Sequence, residues 1–185
     1  MSLPTLLTSR LILRPLNAGD AEAIVTLAGN WHVARNTRRI PHPYTLEAAQ
    51  EFIAAQKKAQ IKGEEWVWGV CLKDEGHPLI GCVGVTFGDM EAELGYWLGE
   101  PWWKQGYATE AARAIVDYAF ERCELWQIDG KHLFNNHESG RVLTKLGFQV
   151  IGFSRGACRE ENQDIVHYRL LRAAWIARPD RDTFA

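Results

Sequence analysis

The sequence has 185 residues, 46% of them hydrophobic and 24% charged, and its 21 basic and 23 acidic side chains give a net charge of −2. Length and composition describe roughly one globular domain with its own core and exclude disorder as the main state. The charge balance removes any bulk electrostatic case for nucleic acid, and no apolar run approaches the ~18 residues of a membrane span.

In chain order, Leu11-Ile12-Leu13 before Pro15 reads as a short strand. Asp20 is an N-cap signal for a helix carrying Ala23, Ile24, Leu27 and Ala28, stopped at Gly29-Asn30. Thr45 opens a second helix with Leu46, Ala49, Phe52 and Ile53 on one face, closed by Gly63. Three strands follow, Trp66 to Leu72, Pro78 to Phe87 and Ala92 to Leu98, separated by Lys73-Asp74-Glu75-Gly76 and Gly88-Asp89, as an antiparallel meander. Ala108, Ala111, Ala112, Ile115, Val116 and Ala119 predict a helix over Tyr107 to Phe120. Trp126 to Leu133 is a strand and Glu138 to Leu146 a helix stopped at Gly147. Phe148 to Phe153 and Ile165 to Leu171 are the last strands. The order β-α-α-β-β-β-α-β-α-β-β predicts an α+β domain around one mixed sheet. The domain is expected over 7–175, with 176–185 as a tail.

Met1 to Arg14 lacks the apolar stretch and cleavage site of a secretory signal. Cys71, Cys82, Cys123 and Cys158 form no Cys-x-x-Cys, which reads as reduced thiols in a cytoplasmic protein. No clustered His/Cys spacing predicts a metal. Four of the eight tryptophans fall between Trp97 and Trp126.

The chemistry-bearing stretch runs from Glu93 to Glu110. A strand enters a turn and the turn opens a helix, with Gly106 and the small Ala108 at the junction and no carboxylate between Trp102 and Ala108. The unpaired N–H groups and positive dipole end of a helix N-terminus make an anion cradle, and glycine lets a ligand approach the backbone. Lys104 adds a positive charge at the rim. Ordinary loop chemistry explains a lone Gly-x-Ala equally well. The segment is neither Gly-x-Gly-x-x-Gly nor a P-loop.

A second segment joins it: Asn136, Ser139, Lys145, Leu146, Gly147 and Phe148. Together with Gly106-Tyr107-Ala108-Thr109-Glu110-Ala111, it resembles the GNAT superfamily of N-acetyltransferases, in the branch of the Rim-type ribosomal-protein N-terminal acetyltransferases. Leu7 to Pro15 resembles that branch's first strand, and Asp164, Tyr168 and Leu170 its closing strand. Trp103 stands where the wider superfamily favours Gln or Arg, and Gln105 where Lys or Arg is frequent.

The resemblance implies a single GNAT-like domain, a mostly antiparallel mixed sheet with helices on both faces, whose parallel neighbours Ala92–Leu98 and Trp126–Leu133 splay apart around acetyl-CoA. It places the pantetheine arm on the backbone at Trp97 and Leu98. The pyrophosphate falls on Gln105, Gly106, Tyr107, Ala108 and Thr109, with Lys104 beside it and Asn136 on the cofactor arm or the strand end. The backbone N–H near Trp97 serves the carbonyl oxygen. Ser139 becomes the acid toward the leaving sulfur; alone, it reads as a helix cap. Glu93 is a candidate base, acting directly or through water, or else a solvated or ion-paired strand residue. Thr109 is a phosphate contact or a first-turn cap.

Glu160 and Glu161 are alternatives for binding a cationic amine, and His132 or His137 for shuttling a proton. The segments Trp31 to Tyr44 and Arg155 to Gln163 are expected to shape the acceptor channel. Trp102 and Trp103 line the cofactor mouth or fill core. The implied activity is acetyl transfer in a ternary complex to a primary amine: a protein or peptide N-terminus by preference, or a small-molecule amine. A non-catalytic acyl-CoA-binding or sensor domain is the alternative. A homodimer is compatible with the resemblance, with no interface legible in one chain; neither nucleic acid nor membrane is an expected partner.

Overall fold

The computed structural model describes residues 3–74, 76–158 and 161–179. Eight strands form one sheet in the order β1-β2-β3-β4-β5-β6-β8-β7. Their ranges are β1 Leu6–Leu7, β2 Leu11–Pro15, β3 Glu65–Leu72, β4 Leu79–Phe87, β5 Glu91–Leu98, β6 Gln127–Leu133, β7 Gln149–Cys158 and β8 Glu161–Leu171. Among the described residues, neighbouring strands are antiparallel except β5 and β6, the single parallel pair. The helices are α1 Ala21–Ala28, α2 Trp31–Ala34, α3 Leu46–Lys62, α4 Tyr107–Arg122, α5 His137–Lys145 and α6 Arg172–Ile176.

Local chemistry sets the helix ends. Asn17 and Asp20 form a capping box ahead of α1. The Thr45 hydroxyl accepts from Ala48 N at the start of α3, and Gly63, at φ 71°, ends it in the left-handed conformation. α4 is the crossover that parallel neighbours require. Its buried face, Ala111, Ala112, Ile115, Val116, Ala119 and Phe120, packs with Leu94 and Leu98 of β5. α1 and α3 pack with Cys71, Leu79 and Trp97 in a second cluster. α4 thus belongs to one face of the sheet and α1 with α3 to the other, so that helices cover both faces, as the resemblance implies.

α6 was not expected. Its Trp175 stacks on Phe120, ring centroids 5.0 Å apart, and donates to Asp117 at 2.6 Å. Phe120 is fully buried, so its truncation to Ala costs about 3–5 kcal/mol. The segment 155–163, expected as an acceptor loop, belongs largely to the β7–β8 hairpin. Pairs such as Arg155↔Asp164 and Gly156↔Gln163 continue the ladder past Phe153. Backbone pairing holds these strands where side-chain hydrophobicity gives no signal. Glu160 and residues 180–185 of the expected tail lie outside the described residues. Cys71, Cys82 and Cys123 are free thiols.

Candidate active site

The parallel pairing of β5 and β6 runs from Glu91↔Gln127 to Leu94↔Gly130 and stops there. Both strands continue on their outer sides, β5 against β4 to Leu98 and β6 against β8 to Leu133. The pair therefore opens into a V whose inner edges carry peptide groups without a strand neighbour. Register decides which ones. Gly88 N donates to Glu91 O and Gly99 N to Ile80 O, both at 2.8 Å, at the two ends of the β4–β5 ladder. Alternation between them turns the peptide groups of Gly95 and Trp97 toward β4 and those of Tyr96 and Leu98 into the gap. A Cβ added at Gly81 of β4 would collide with the Trp97 carbonyl oxygen, as that direction requires.

Of the residues around the expected Trp97 contact, it is therefore Tyr96 whose peptide group faces the gap. The Trp97 side chain packs instead with the α1–α3 cluster. The Leu98 peptide also faces the gap, and its carbonyl accepts the Trp103 indole N–H at 2.7 Å. Trp102 and Trp103 pack against the main core.

At the wide end of the V stands the start of α4. Gly106 is its N-cap, at φ 85°, and Lys104 before it also has positive φ, 59°. Glu110 N is the amide that reaches back to Gly106 O, at 3.0 Å, which leaves the N–H groups of Gly106, Tyr107, Ala108 and Thr109 without intrahelical acceptors. α3 and α5 are capped by their own Thr45 and Asn136 side chains, whereas α4 has no side-chain cap. Those amides and the helix dipole fit an anion. A cavity of about 430 Å³ adjoins them, lined by Thr8, Ser9, Gly106, Thr109, Glu110, Arg113 and Lys145. The Gln105 side chain turns back to donate to Pro101 O at 2.8 Å.

The cradle is clamped from the far N-terminus. Glu110 accepts from the Thr8 hydroxyl at 2.6 Å, from Arg10 N at 2.7 Å and from Arg10 Nε at 2.7 Å. Arg10 also donates to Gln105 O at 3.0 Å and lies over the Tyr107 ring, 4.4 Å from its centroid. Partial burial disfavours the Glu110 charge, but the bonds from Thr8 and Arg10 outweigh it and hold the carboxyl below the usual glutamate range. Sequence reading missed Thr8 and Arg10 as site residues, since their partner lies about 100 positions away.

α5 brings the second group. The Asn136 side chain caps it, accepting from Ser139 N at 3.4 Å. Gly140 lets it seat closely: a Cβ there would stand 2.7 Å from His132 Nε2 and 3.1 Å from the Tyr168 hydroxyl. His132 is buried, with Nδ1 2.8 Å from Leu133 O and Nε2 3.3 Å from Tyr168 Oη. His137 is an exposed first-turn residue whose ring meets the Phe134 edge. Ser139 Oγ lies 2.8 Å from Tyr96 Oη, so the β5 side chain spans from the V to the helix.

Glu93 sits on the other face of β5, alternating with Leu94 and Tyr96. Its carboxylate accepts from Lys131 Nζ at 2.6 Å, and the neighbouring Asp129 takes a bidentate pair from Arg169 at 2.8 and 2.7 Å. Gly95, next along this face, has open space where a side chain would stand. Ser139 and Glu93 therefore lie on opposite sides of the sheet. Near α1, exposed Trp31 packs on the His42 ring at 5.0 Å, and Arg39 pairs with Glu65 at 2.7 Å. Among the described residues no group of His, Cys, Asp and Glu could hold a metal ion, and no helix is long and apolar enough to cross a membrane.

An open parallel pair thus leads to an uncapped helix N-terminus that fits an anion. Residues 10–149 match the acetyltransferase (GNAT) domain, and the chain belongs to that family. It is an acetyl-CoA-dependent N-acetyltransferase. The uncharacterized N-acetyltransferase YoaA of Bacillus subtilis (strain 168) is 34% identical over 161 residues, covering 82% of this chain and 86% of YoaA. Among solved structures, RimL, a ribosomal L7/L12 alpha-N-protein acetyltransferase in complex with coenzyme A, is similar in fold. Its TM-score is 0.83 at 16% identity over 92% of this chain and 99% of that one. A ribosomal-protein-S5-alanine acetyltransferase from Vibrio fischeri gives a TM-score of 0.79 at 20% identity, covering 94% and 99%.

Proposed function

We propose that this enzyme transfers the acetyl group directly to a primary amine in a ternary complex, a protein or peptide N-terminus by preference. The observation that carries the reading is the V between β5 and β6, open at Leu94↔Gly130, with Ser139 and Glu93 on its two sides. Acetyl-CoA supplies the activated thioester. Tyr96 and Leu98 hold the pantetheine arm through their peptide groups, one of their N–H groups facing the carbonyl oxygen as charge develops there. The amides of Gly106 to Thr109 take the pyrophosphate, and Lys104 stands at its rim. Glu93, tied to Lys131, draws the proton from the attacking amine through water. When the carbon–sulfur bond breaks, its electron pair goes to sulfur and the Ser139 hydroxyl donates to it. Use of acetyl-CoA supports a cytoplasmic setting for the reaction.

The preference for an N-terminal amine rests on the Rim-type fold likeness and on the open face at Gly95, where an added Cβ would meet nothing within 4 Å. Release of coenzyme A thiol across peptides, amino acids, polyamines and aminoglycosides tests the reading. Peptide-dependent release is the expected result. Release driven only by small amines would move the acceptor class, and acetyl-CoA binding without release for any acceptor would favour the sensor alternative.

A further inference from the structure

We propose that Tyr96 is a positioning residue that sets the direction of the Ser139 hydroxyl, a role that rests on Ser139 acting toward the leaving sulfur. Tyr96 projects from β5 just past the last β5–β6 pair, on the face that carries α4 and α5. Its oxygen lies 2.8 Å from Ser139 Oγ and 3.0 Å from Ser139 O. One phenol hydrogen cannot serve both. When it goes to the Ser139 carbonyl, the phenol oxygen accepts the Ser139 hydroxyl hydrogen and holds it away from the gap. When it goes to Ser139 Oγ, the serine hydrogen is released to point elsewhere, and negative charge growing on sulfur attracts it. Rotation of one phenol O–H bond converts the first state into the second, and Tyr96 gives up no proton in either. Burial pushes the phenol well above the usual tyrosine range, against a smaller opposing effect of the Ser139 bond, so it stays protonated.

The surroundings are built to hold this geometry. Asn136 takes the Ser139 N–H while Tyr96 meets its carbonyl, so the serine backbone is gripped at both ends. Gly140 leaves no space between α5 and the His132–Tyr168 pair. The serine thus has little freedom to find the sulfur by itself, and the direction of its hydrogen falls to the phenol.

The test is a double-mutant cycle on kcat with acetyl-CoA and an active acceptor, using Ser139→Ala, Tyr96→Phe and the double variant. Ser139→Ala is expected to lower kcat roughly 100-fold. Tyr96→Phe is expected to lower it roughly 10-fold or more, with KM for acetyl-CoA within about two-fold. The double variant should equal Ser139→Ala, since the phenol acts only through the serine. Unchanged kcat in Ser139→Ala overturns the serine reading and this inference with it. A loss in Ser139→Ala with none in Tyr96→Phe overturns the inference alone, as do losses that multiply in the double variant. If Tyr96→Phe fails to fold, 3-fluorotyrosine at position 96 keeps the oxygen and the shape; near-wild-type kcat with it supports the inference, and a loss as deep as that of Ser139→Ala overturns it.

Discussion

The two ends of the V are built from different materials. At the wide end the groups proposed to meet the cofactor are main-chain amides of 106–109, set by a left-handed glycine and clamped by Thr8, Arg10 and Glu110. Beside the strands the groups proposed to act are single side chains, Ser139, Tyr96 and Glu93, each fixed by one or two hydrogen bonds. A backbone site tolerates side-chain change wherever the chain path survives, and fails when the path is blocked. A side-chain site keeps its shape and loses its chemistry when one atom is removed. The cradle should therefore govern affinity and the second region turnover.

The largest expected effect breaks the cradle. Gly106→Glu adds a side chain at φ 85°, against the Arg10 guanidinium, and puts a negative charge into an anion site. Acetyl-CoA affinity by calorimetry should fall by at least roughly 100-fold, from backbone strain of about 1–3 kcal/mol plus charge repulsion. Second comes Ser139→Ala, which should leave the calorimetric Kd nearly intact while kcat collapses. Glu93→Gln should lower kcat roughly 10- to 100-fold by removing the proton acceptor. The loss should persist at saturating acetyl-CoA.

The smallest effect sharpens the comparison at the clamp. Glu110→Gln should cost about 1–2 kcal/mol in denaturant melts, reduced from a buried charged bond because Arg10 is half exposed. The Glu110 carboxyl is lowered in the folded state, so its contribution is complete above the ordinary glutamate value of about 4.3. It is lost as pH falls through the lowered one. Wild type and variant should differ in stability at pH 7 and converge in acid.

The cradle was legible in sequence because glycine and a small residue at a strand-to-helix junction are local signals. Helix spacing likewise marked α4 and α5, and the meander read directly from its turns. The clamp was not legible: Thr8, Arg10 and Glu110 meet only after β2 and α4 pack on the same sheet. The direction of the Trp97 peptide was hidden for a related reason. Register with β4, not residue type, decides which amides face the gap, and a shift of one position exchanges Trp97 for Tyr96. α6 escaped notice because Arg172–Ile176 is too short to show a period, and Trp175 identifies itself only by packing on Phe120.

The division between the two regions is tested most directly by residue-resolved amide exchange with and without acetyl-CoA. New protection is expected at the amides of Gly106, Tyr107, Ala108 and Thr109 and at Tyr96 and Leu98. Trp97, already paired to β4, should change little. Protection at Trp97 with none at Tyr96, or an unaltered 106–109 segment under saturating ligand, would contradict it.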